Sequence, residues 1–346
     1  MLEKESEKER NIATEKIVKK MIGKIKGLGS YLPSKVLTNK DLESIVETSD
    51  EWIVERTGIR ERRISDPYKE TVSEMAISAA KEALADSGID PLEIDFIVLA
   101  STTNNMVFPT SACLVQAAIG ADNAQCFDMN SACPGFLAAY NVAQNFISAG
   151  QVKTVLVIGS ECISNYVDWT DRGSCILFGD GAGAAVLKAT EVDDSERNKF
   201  IMKSSVMRGD CLHCENLKQP KRFEEEGFIK STNMFMNGKE VFRFVVSEIP
   251  ALVNELSQKY EFSVDDVDHF VFHQANKRII EATAKKLNIS MDKFPLTIHD
   301  TGNISSASIP VLLTQMKEEG TLKKGDKIIM SSFGGGLTWG ANYFVY

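Results

Sequence analysis

Three side chains in this sequence have the types and settings that covalent catalysis uses. Cys133 lies in Phe127-Asp128-Met129-Asn130-Ser131-Ala132-Cys133-Pro134-Gly135-Phe136. There an apolar strand ends, small residues turn, and a helix opens with Pro134 at its first position, where the missing N–H costs nothing. A cysteine at a helix N-terminus meets the positive end of the macrodipole and unpaired N–H groups, which favour a thiolate nucleophile. Small neighbours let backbone N–H groups approach a reacting carbonyl, as at a nucleophile elbow. His273, in His273-Gln274-Ala275-Asn276, follows directly on the strand Phe270-Val271-Phe272. Carboxyl ends of strands are where α/β sheets place ligands and catalytic groups. Asn303, in the polar loop Thr301 to Pro310, carries an amide able to donate. Ser332-Phe333-Gly334-Gly335-Gly336 can present backbone N–H groups with no side chain in the way.

Other patterns carry less. Cys113, Cys126, Cys162 and Cys175 read as structural cysteines, the usual fate of the residue. Cys211-Leu212-His213-Cys214 suggests zinc, but a structural zinc site needs four ligands and no second pair accompanies it, so loop residues or a labile thiol pair are expected. Gly179-Asp180-Gly181-Ala182-Gly183 lacks the G-x-G-x-x-G spacing of a dinucleotide fingerprint and reads as a tight turn.

The positioning elements alternate. Strands are expected at Ile25–Ser30, Phe96–Ala100, Cys126–Met129 and Val155–Ile158, and helices at Thr71–Ser87, Ser111–Ile119 and Pro134–Ala149. Wholly apolar strands between helices imply sheets covered on both faces. The order helix, loop, Asp95-Phe96-Ile97-Val98-Leu99 recurs about 173 residues later as a helix near Val246–Tyr260, a loop, and Asp268-His269-Phe270-Val271-Phe272. A second echo pairs Phe178 to Ala182 with Phe333 to Leu337, so a duplicated α/β unit is expected. The division is a charged N-terminal extension at 1–22, a first half at 23–195 carrying the nucleophile, and a second half at 196–346.

Composition narrows the function classes. The chain has 346 residues, 43% hydrophobic and 25% charged, enough apolar mass for a real core. With 39 basic and 48 acidic residues the net charge is −9, a poor balance for general nucleic-acid binding. No stretch reaches the ~18 to 20 apolar residues of a membrane span, and the segment before Met21 lacks the apolar region of a secretory signal. Seven cysteines, an odd number, fit free thiols in a reducing cytoplasm.

Six segments in order resemble the 3-oxoacyl-[acyl-carrier-protein] synthase III family of the thiolase-like superfamily. They are Ser49 to Arg62, the Cys133 turn, Trp169-Thr170-Asp171-Arg172-Gly173, His273 to Asn276, Gly302-Asn303, and Phe333 to Gly340. The resemblance implies a thiolase-like, internally duplicated, five-layered α-β-α-β-α fold, a homodimer, and a Cys133–His273–Asn303 triad. Its implied reaction is a decarboxylating condensation of a short acyl-CoA with malonyl-acyl carrier protein through an acyl-Cys intermediate, with no metal and no resident cofactor. A relative using an unusual primer, or a non-decarboxylating acyltransferase, would share the scaffold. By the same resemblance, the backbone of Cys133 and Gly335 forms an oxyanion hole. Trp52, Arg56, Arg172 and Asn276 contact CoA, and Arg243, Arg278, Lys285 and Lys286 dock the carrier protein. Phe108 bounds the partner's acyl pocket. Departures from the family pattern fall at Ser131, at Pro134, at His299-Asp300-Thr301, and most of all between Arg208 and Glu226.

Overall fold

The structure, a computed structural model, describes residues 20–205, 212–214 and 234–346. Cys211 of the Cys211–Cys214 pair and most of the divergent 208–226 segment lie outside the described residues. Among the described residues no group of His, Cys, Asp and Glu could hold a metal ion.

The first half runs β1 (Lys20–Tyr31), β2 (Val36–Thr38), α1 (Asn39–Leu42), α2 (Asp50–Thr57) and β3 (Glu61–Arg63). It continues α3 (Val72–Ser87), β4 (Phe96–Ala100), α4 (Ser111–Ile119), β5 (Gln125–Met129), α5 (Gly135–Ser148), β6 (Thr154–Cys162), α6 (Arg172–Cys175) and β7 (Asp180–Val192). The second half has β8 (Lys199–Ser204), β9 (Leu212–Cys214), β10 (Met234–Met236), α7 (Gly238–Tyr260) and β11 (His269–Phe272). It ends with α8 (Lys277–Leu287), α9 (Ile298–Thr301), α10 (Ser308–Glu318), β12 (Lys327–Gly334) and β13 (Thr338–Val345).

Local signals account for the main elements. Thr71 caps α3 by accepting from the Glu74 N–H, and Gly88 ends it at φ 63°. Met75, Ala76, Ala79, Ala80 and Ala83 make its buried stripe at helical spacing. All five residues of β4 are buried, as a strand covered on both faces requires. α7 begins eight residues earlier than its expected start near Val246, because Asn237 caps it and Val241, Phe244 and Val245 already face the core. The Gly181-Ala182-Gly183 run is strand rather than turn. It belongs to β7, where a Cβ on Gly183 would meet Pro310 at 2.8 Å. β1 starts at Lys20, within the segment assigned to the extension.

Duplication is visible in the registers. The five-stranded sheet runs β1-β7-β6-β4-β5 and the four-stranded sheet β11-β12-β13-β8. Parallel pairing sets Phe96 opposite Val155 in the first and His269 opposite Ile328 in the second, so both strands recur at the same offset of 173 residues. α5 and α10 lie between the sheets in one core with residues of both, including Phe136, Tyr140, Leu312, Val157 and Met330. α3 and α4 cover the outer face of the first sheet, and α7 and α8 that of the second. The result is five layers, α-β-α-β-α. Among the described residues, edge strand β5 has no counterpart in the second sheet. No helix among the described residues is long and apolar enough to cross a membrane.

Candidate active site

The carboxyl ends of both sheets open onto one cavity of about 1090 Å³, whose lining includes Cys133, His273, Asn303, Ser305, Phe333 and Gly335. Residues far apart in sequence meet there because both central helices begin there. The turn after β5 leads into α5 and carries Cys133, while the loop before α10 carries Asn303 and Ser305.

The Cys133 turn is shaped by its neighbours. Ala132 holds φ 51°, in the left-handed region, and the Gly135 N–H donates to the Ala132 carbonyl at 2.8 Å. Gly334, closing β12, packs against this turn so closely that a Cβ there would lie 2.7 Å from the Cys133 nitrogen. α5 begins at Gly135 with Pro134 as its N-cap, one residue later than the sequence suggests. The expected thiolate bias is also not what the environment delivers. Burial pushes the Cys133 thiol up to about 11, a bond from Ser305 opposes this, and the Glu161 carboxylate adds to it. Desolvation outweighs whatever the helix terminus contributes. The same holds for Cys126 and Cys162, both pushed up to about 12, so acidity does not single out Cys133. Access does: it is the only one of the described cysteines on the cavity wall.

His273 is buried, its backbone N–H donating to the Ser331 carbonyl at 2.8 Å. Its Nδ1 lies 2.7 Å from Ser308 Oγ, and its buried Nε2 has no hydrogen-bond partner. Burial takes its pKa down to about 3, so the ring is neutral at physiological pH. Ser308 decides where the ring hydrogen sits. Its hydroxyl also lies 2.9 Å from the Ser305 carbonyl, and only when it instead donates to Nδ1 does Nε2 carry the hydrogen.

Asn303 is tied down through its backbone, its N–H donating to the Leu177 carbonyl at 2.8 Å, while its Oδ1 accepts from the Ser305 N–H at 3.0 Å. That leaves the Nδ2 group as the donor for a ligand. Gln274, buried beside His273, accepts from the Thr297 N–H at 3.1 Å and so anchors the segment leading to Asn303.

At the rim, Arg56, Lys239, Arg243 and Arg278 are exposed side chains that line the cavity. The guanidinium carbons of Arg56 and Arg172 lie 4.6 and 4.8 Å from the Trp52 ring centre, so these three meet at one place. Asn276 is committed to the protein: its Nδ2 donates to the Arg56 carbonyl at 3.1 Å and its Oδ1 accepts from the Arg278 N–H at 2.9 Å, capping α8. Arg243 pairs with Glu240 at 2.8 Å. Lys285 and Lys286 are exposed in the last turn of α8, away from the cavity wall. Phe108 is 83% exposed, beside Val107 at 89%.

Sequence reasoning did not single out Glu161, Ser305, Ser308 or Lys239. Glu161 had a readable signal, a lone acid near the carboxyl end of a largely apolar strand, much as His273 follows β11. The serines had none, because serine is ordinary in a polar loop.

Residues 127–207 match the family described as 3-oxoacyl-[acyl-carrier-protein (ACP)] synthase III, and residues 257–346 match its C-terminal counterpart. A beta-ketoacyl-[acyl-carrier-protein] synthase III of Clostridium acetobutylicum is 46% identical, covering 91% of this chain and 96% of its own. The crystal structure of 3-oxoacyl-[acyl-carrier-protein] synthase III from Aquifex aeolicus is 43% identical, with a TM-score of 0.86 over 94% of this chain and 100% of its own. The priming beta-ketosynthase of the R1128 polyketide biosynthetic pathway is 32% identical with a TM-score of 0.88, over 94% of this chain and 96% of its own. Agreement of this extent, running through the elements that carry Cys133, His273 and Asn303, means that the chain belongs to the 3-oxoacyl-[acyl-carrier-protein] synthase III family.

Proposed function

We propose that the protein joins a short acyl group from acyl-CoA to malonyl-acyl carrier protein by decarboxylating condensation, giving a 3-oxoacyl-carrier protein and starting a fatty-acid chain. The observation that carries this reading is the meeting of Cys133, the unpartnered Nε2 of His273 and the Asn303 amide on one cavity.

Cys133 attacks the acyl-CoA thioester, the acyl group passes to sulfur, and CoA departs. The tetrahedral oxyanion is held by the backbone N–H groups of Cys133 and Gly335. Malonyl thioester then enters, with its carbonyl oxygen taking hydrogen bonds from His273 Nε2 and the Asn303 amide. Those two neutral donors hold the enolate charge as the carboxylate leaves as CO₂, and the carbanion attacks the acyl-Cys carbonyl. A neutral imidazole suffices, since the departing carboxylate supplies the electron pair.

The exposed rim cations suit both the phosphates of CoA and an acidic carrier protein. Trp52, Arg56 and Arg172 form the CoA end, and Asn276 orients it through Arg56. Arg243, Arg278, Lys285 and Lys286 receive the carrier protein. The bare edge of β5, with Phe127 exposed, and the exposed Val107-Phe108 tip support a homodimer in which Phe108 closes the partner's acyl pocket. The free thiols of the described cysteines suit a reducing compartment such as the cytoplasm.

The test is to incubate the protein with labelled acetyl-CoA and malonyl-carrier protein. Release of CO₂ with 3-oxoacyl product is expected; acyl-enzyme without CO₂ would mean plain acyl transfer. The likeness to a priming polyketide synthase favours a second reading that differs only in primer, and a panel of acyl-CoA lengths and branches separates the two.

A further inference from the structure

Glu161, the second-last residue of β6, is wholly buried behind Ser305, yet no cation pairs with it among the described residues. Its Oε2 accepts from the Thr102 N–H at 3.1 Å, the Thr102 hydroxyl at 2.9 Å, the Thr103 hydroxyl at 2.8 Å and, at 3.4 Å, the Ser101 hydroxyl. Its Oε1 accepts from the hydroxyls of Ser306 at 2.8 Å and Ser305 at 3.2 Å. That same Ser305 hydroxyl reaches Cys133 Sγ at 3.4 Å.

The other wholly buried acid among the described residues is held differently. Asp180 takes two fixed backbone N–H donors, from Ser65 and Ser164, both at 2.8 Å, besides their hydroxyls. A backbone N–H can only donate, so each oxygen of Asp180 has a fixed donor that favours the carboxylate against its burial. Five of the six donors around Glu161 are hydroxyls, and a hydroxyl can turn and accept. This shell accommodates the acid with or without its proton, which a merely structural anchor does not need.

Cys133 needs such a group. Its thiol must lose a proton to attack, and burial has raised it to about 11. The imidazole is not hydrogen-bonded to the sulfur, and burial has lowered it to about 3. Burial likewise raises the Glu161 carboxyl above the ordinary range, the direction that improves it as a proton acceptor.

We propose that Glu161 is a positioning residue that takes the Cys133 proton through the Ser305 hydroxyl, keeps it while the acyl group is on sulfur, and returns it when the sulfur is released. The proposal rests on Cys133 being the acylated nucleophile. In the loading step the thiol proton moves to Ser305 Oγ as the hydroxyl's own proton moves to Glu161 Oε1. The thiolate forms a C–S bond to the acyl carbon, and the C–S bond to CoA breaks. CoA leaves with that electron pair and takes a proton from water. In condensation the C–C bond to the carboxylate breaks, its electron pair makes the new C–C bond, and the C–S bond to Cys133 breaks toward sulfur. Glu161 then reprotonates the thiolate through Ser305. One solvent proton is consumed per turnover.

The experiment measures acylation of Cys133 by acetyl-CoA, by intact-protein mass at short times, across pH, in wild type, Glu161→Gln, Ser305→Ala and Ser306→Ala, each with a thermal melt. Glu161→Gln and Ser305→Ala are expected to slow loading about 10²-fold at neutral pH, the scale of a lost proton acceptor. Their rates should then climb about tenfold per pH unit where wild type is level. Ser306→Ala, which loosens Glu161 without touching the sulfur, should lower the melting temperature and keep the level profile. Ser305→Ala carries the test should Glu161→Gln fail to fold. Wild-type loading rates and pH profiles in Ser305→Ala and Glu161→Gln would overturn the relay, as would lower melting temperatures with an unmoved profile. A wild-type protein that takes no acyl group on Cys133 would instead sink the functional reading beneath it.

Discussion

Glu161 stands at the end of β6; at the matching place on β12, 173 residues later, stands Gly334. The first is a buried carboxylate among hydroxyls, and the second has no side chain because the Cys133 turn occupies the space. The loops before the central helices differ in the same way. The one before α5 carries Cys133, the proposed nucleophile, and the one before α10 carries Asn303 and the serines. Duplication thus built two equivalent strand ends and two equivalent helix starts, and divergence gave each a different half of one site. On the proposed mechanism the first half carries the acylated sulfur and its buried carboxyl, while the second carries both enolate donors and lends Ser305 and Gly335 to loading. A site divided this way should fail in different ways according to which half is damaged.

Damage to the first half is expected to be the more severe. Cys133→Ala removes the only cysteine on the cavity wall among the described residues, so mass spectrometry should find no acyl-enzyme and product formation should fall by at least about 10⁴-fold. In the second half, His273→Ala and Asn303→Ala should each load acyl group normally and slow CO₂ release by about 10²–10³, the cost of losing one donor to a developing oxyanion. Ser308→Ala should share the His273 phenotype in part, because the imidazole loses the hydroxyl whose donation to Nδ1 puts the ring hydrogen on Nε2. Were loading lost in all four variants, the division between halves would collapse.

The contrast between halves also explains what could be read from the sequence. Strand and helix order, the offset of 173 residues and the Cys133 turn were legible because apolar runs, turn residues and a Pro at a helix start each have one strong local cause. His273 was legible from its place after an apolar strand. What stayed hidden depends on non-local contact. No local pattern says that Ser305 touches both Cys133 and Glu161, across 172 and 144 residues. The acidity of Cys133 was misjudged for the same reason. The helix start is local and visible, whereas the burial that overrides it is assembled from both sheets. Gly181 to Gly183 misled because glycine marks turns more often than close packing of a strand on a helix.

Gly334 offers a gentler break. A methyl there meets backbone of the Cys133 turn and the Pro134 ring at 2.8 Å, neither of which can swing aside as a side-chain tip can. Gly334→Ala should cost about 1–3 kcal/mol of stability in a denaturant melt, the range of an overpacked core, and should slow loading more than CO₂ release from preloaded enzyme. An unperturbed melt would show that the two halves touch less tightly than the geometry states.

The two reacting side chains should also leave opposite marks on stability against pH. Cys133 rises on folding from 9.0 to about 11, so its contribution is full below about 9 and is lost as pH climbs toward 11. His273 falls from 6.5 to about 3, so its contribution is full above about 6.5 and is lost as pH drops toward 3. Cys133→Ser should flatten the alkaline limb of melting temperature against pH, and His273→Gln the acid limb. If each variant flattened the other's limb, the burial of the two groups would be wrongly assigned.

The smallest effects should come from the basic surface, and they divide along α8 itself. Arg278 sits at the helix start on the cavity rim with Arg243, while Lys285 and Lys286 sit in its last turn. Cations in a last turn are already favoured by the exposed carbonyls of the helix end, so the lysine pair has a reason to exist without any partner. Arg243→Ala and Arg278→Ala should therefore each raise KM for malonyl-carrier protein about tenfold, the worth of one charge-assisted hydrogen bond. The double change of Lys285 and Lys286 to Ala should raise it about two- to threefold, through encounter rate alone, and that difference should vanish at about 0.5 M salt as screening shortens the field. A lysine effect that exceeds the arginine effect and survives salt would move the docking surface to the far end of α8.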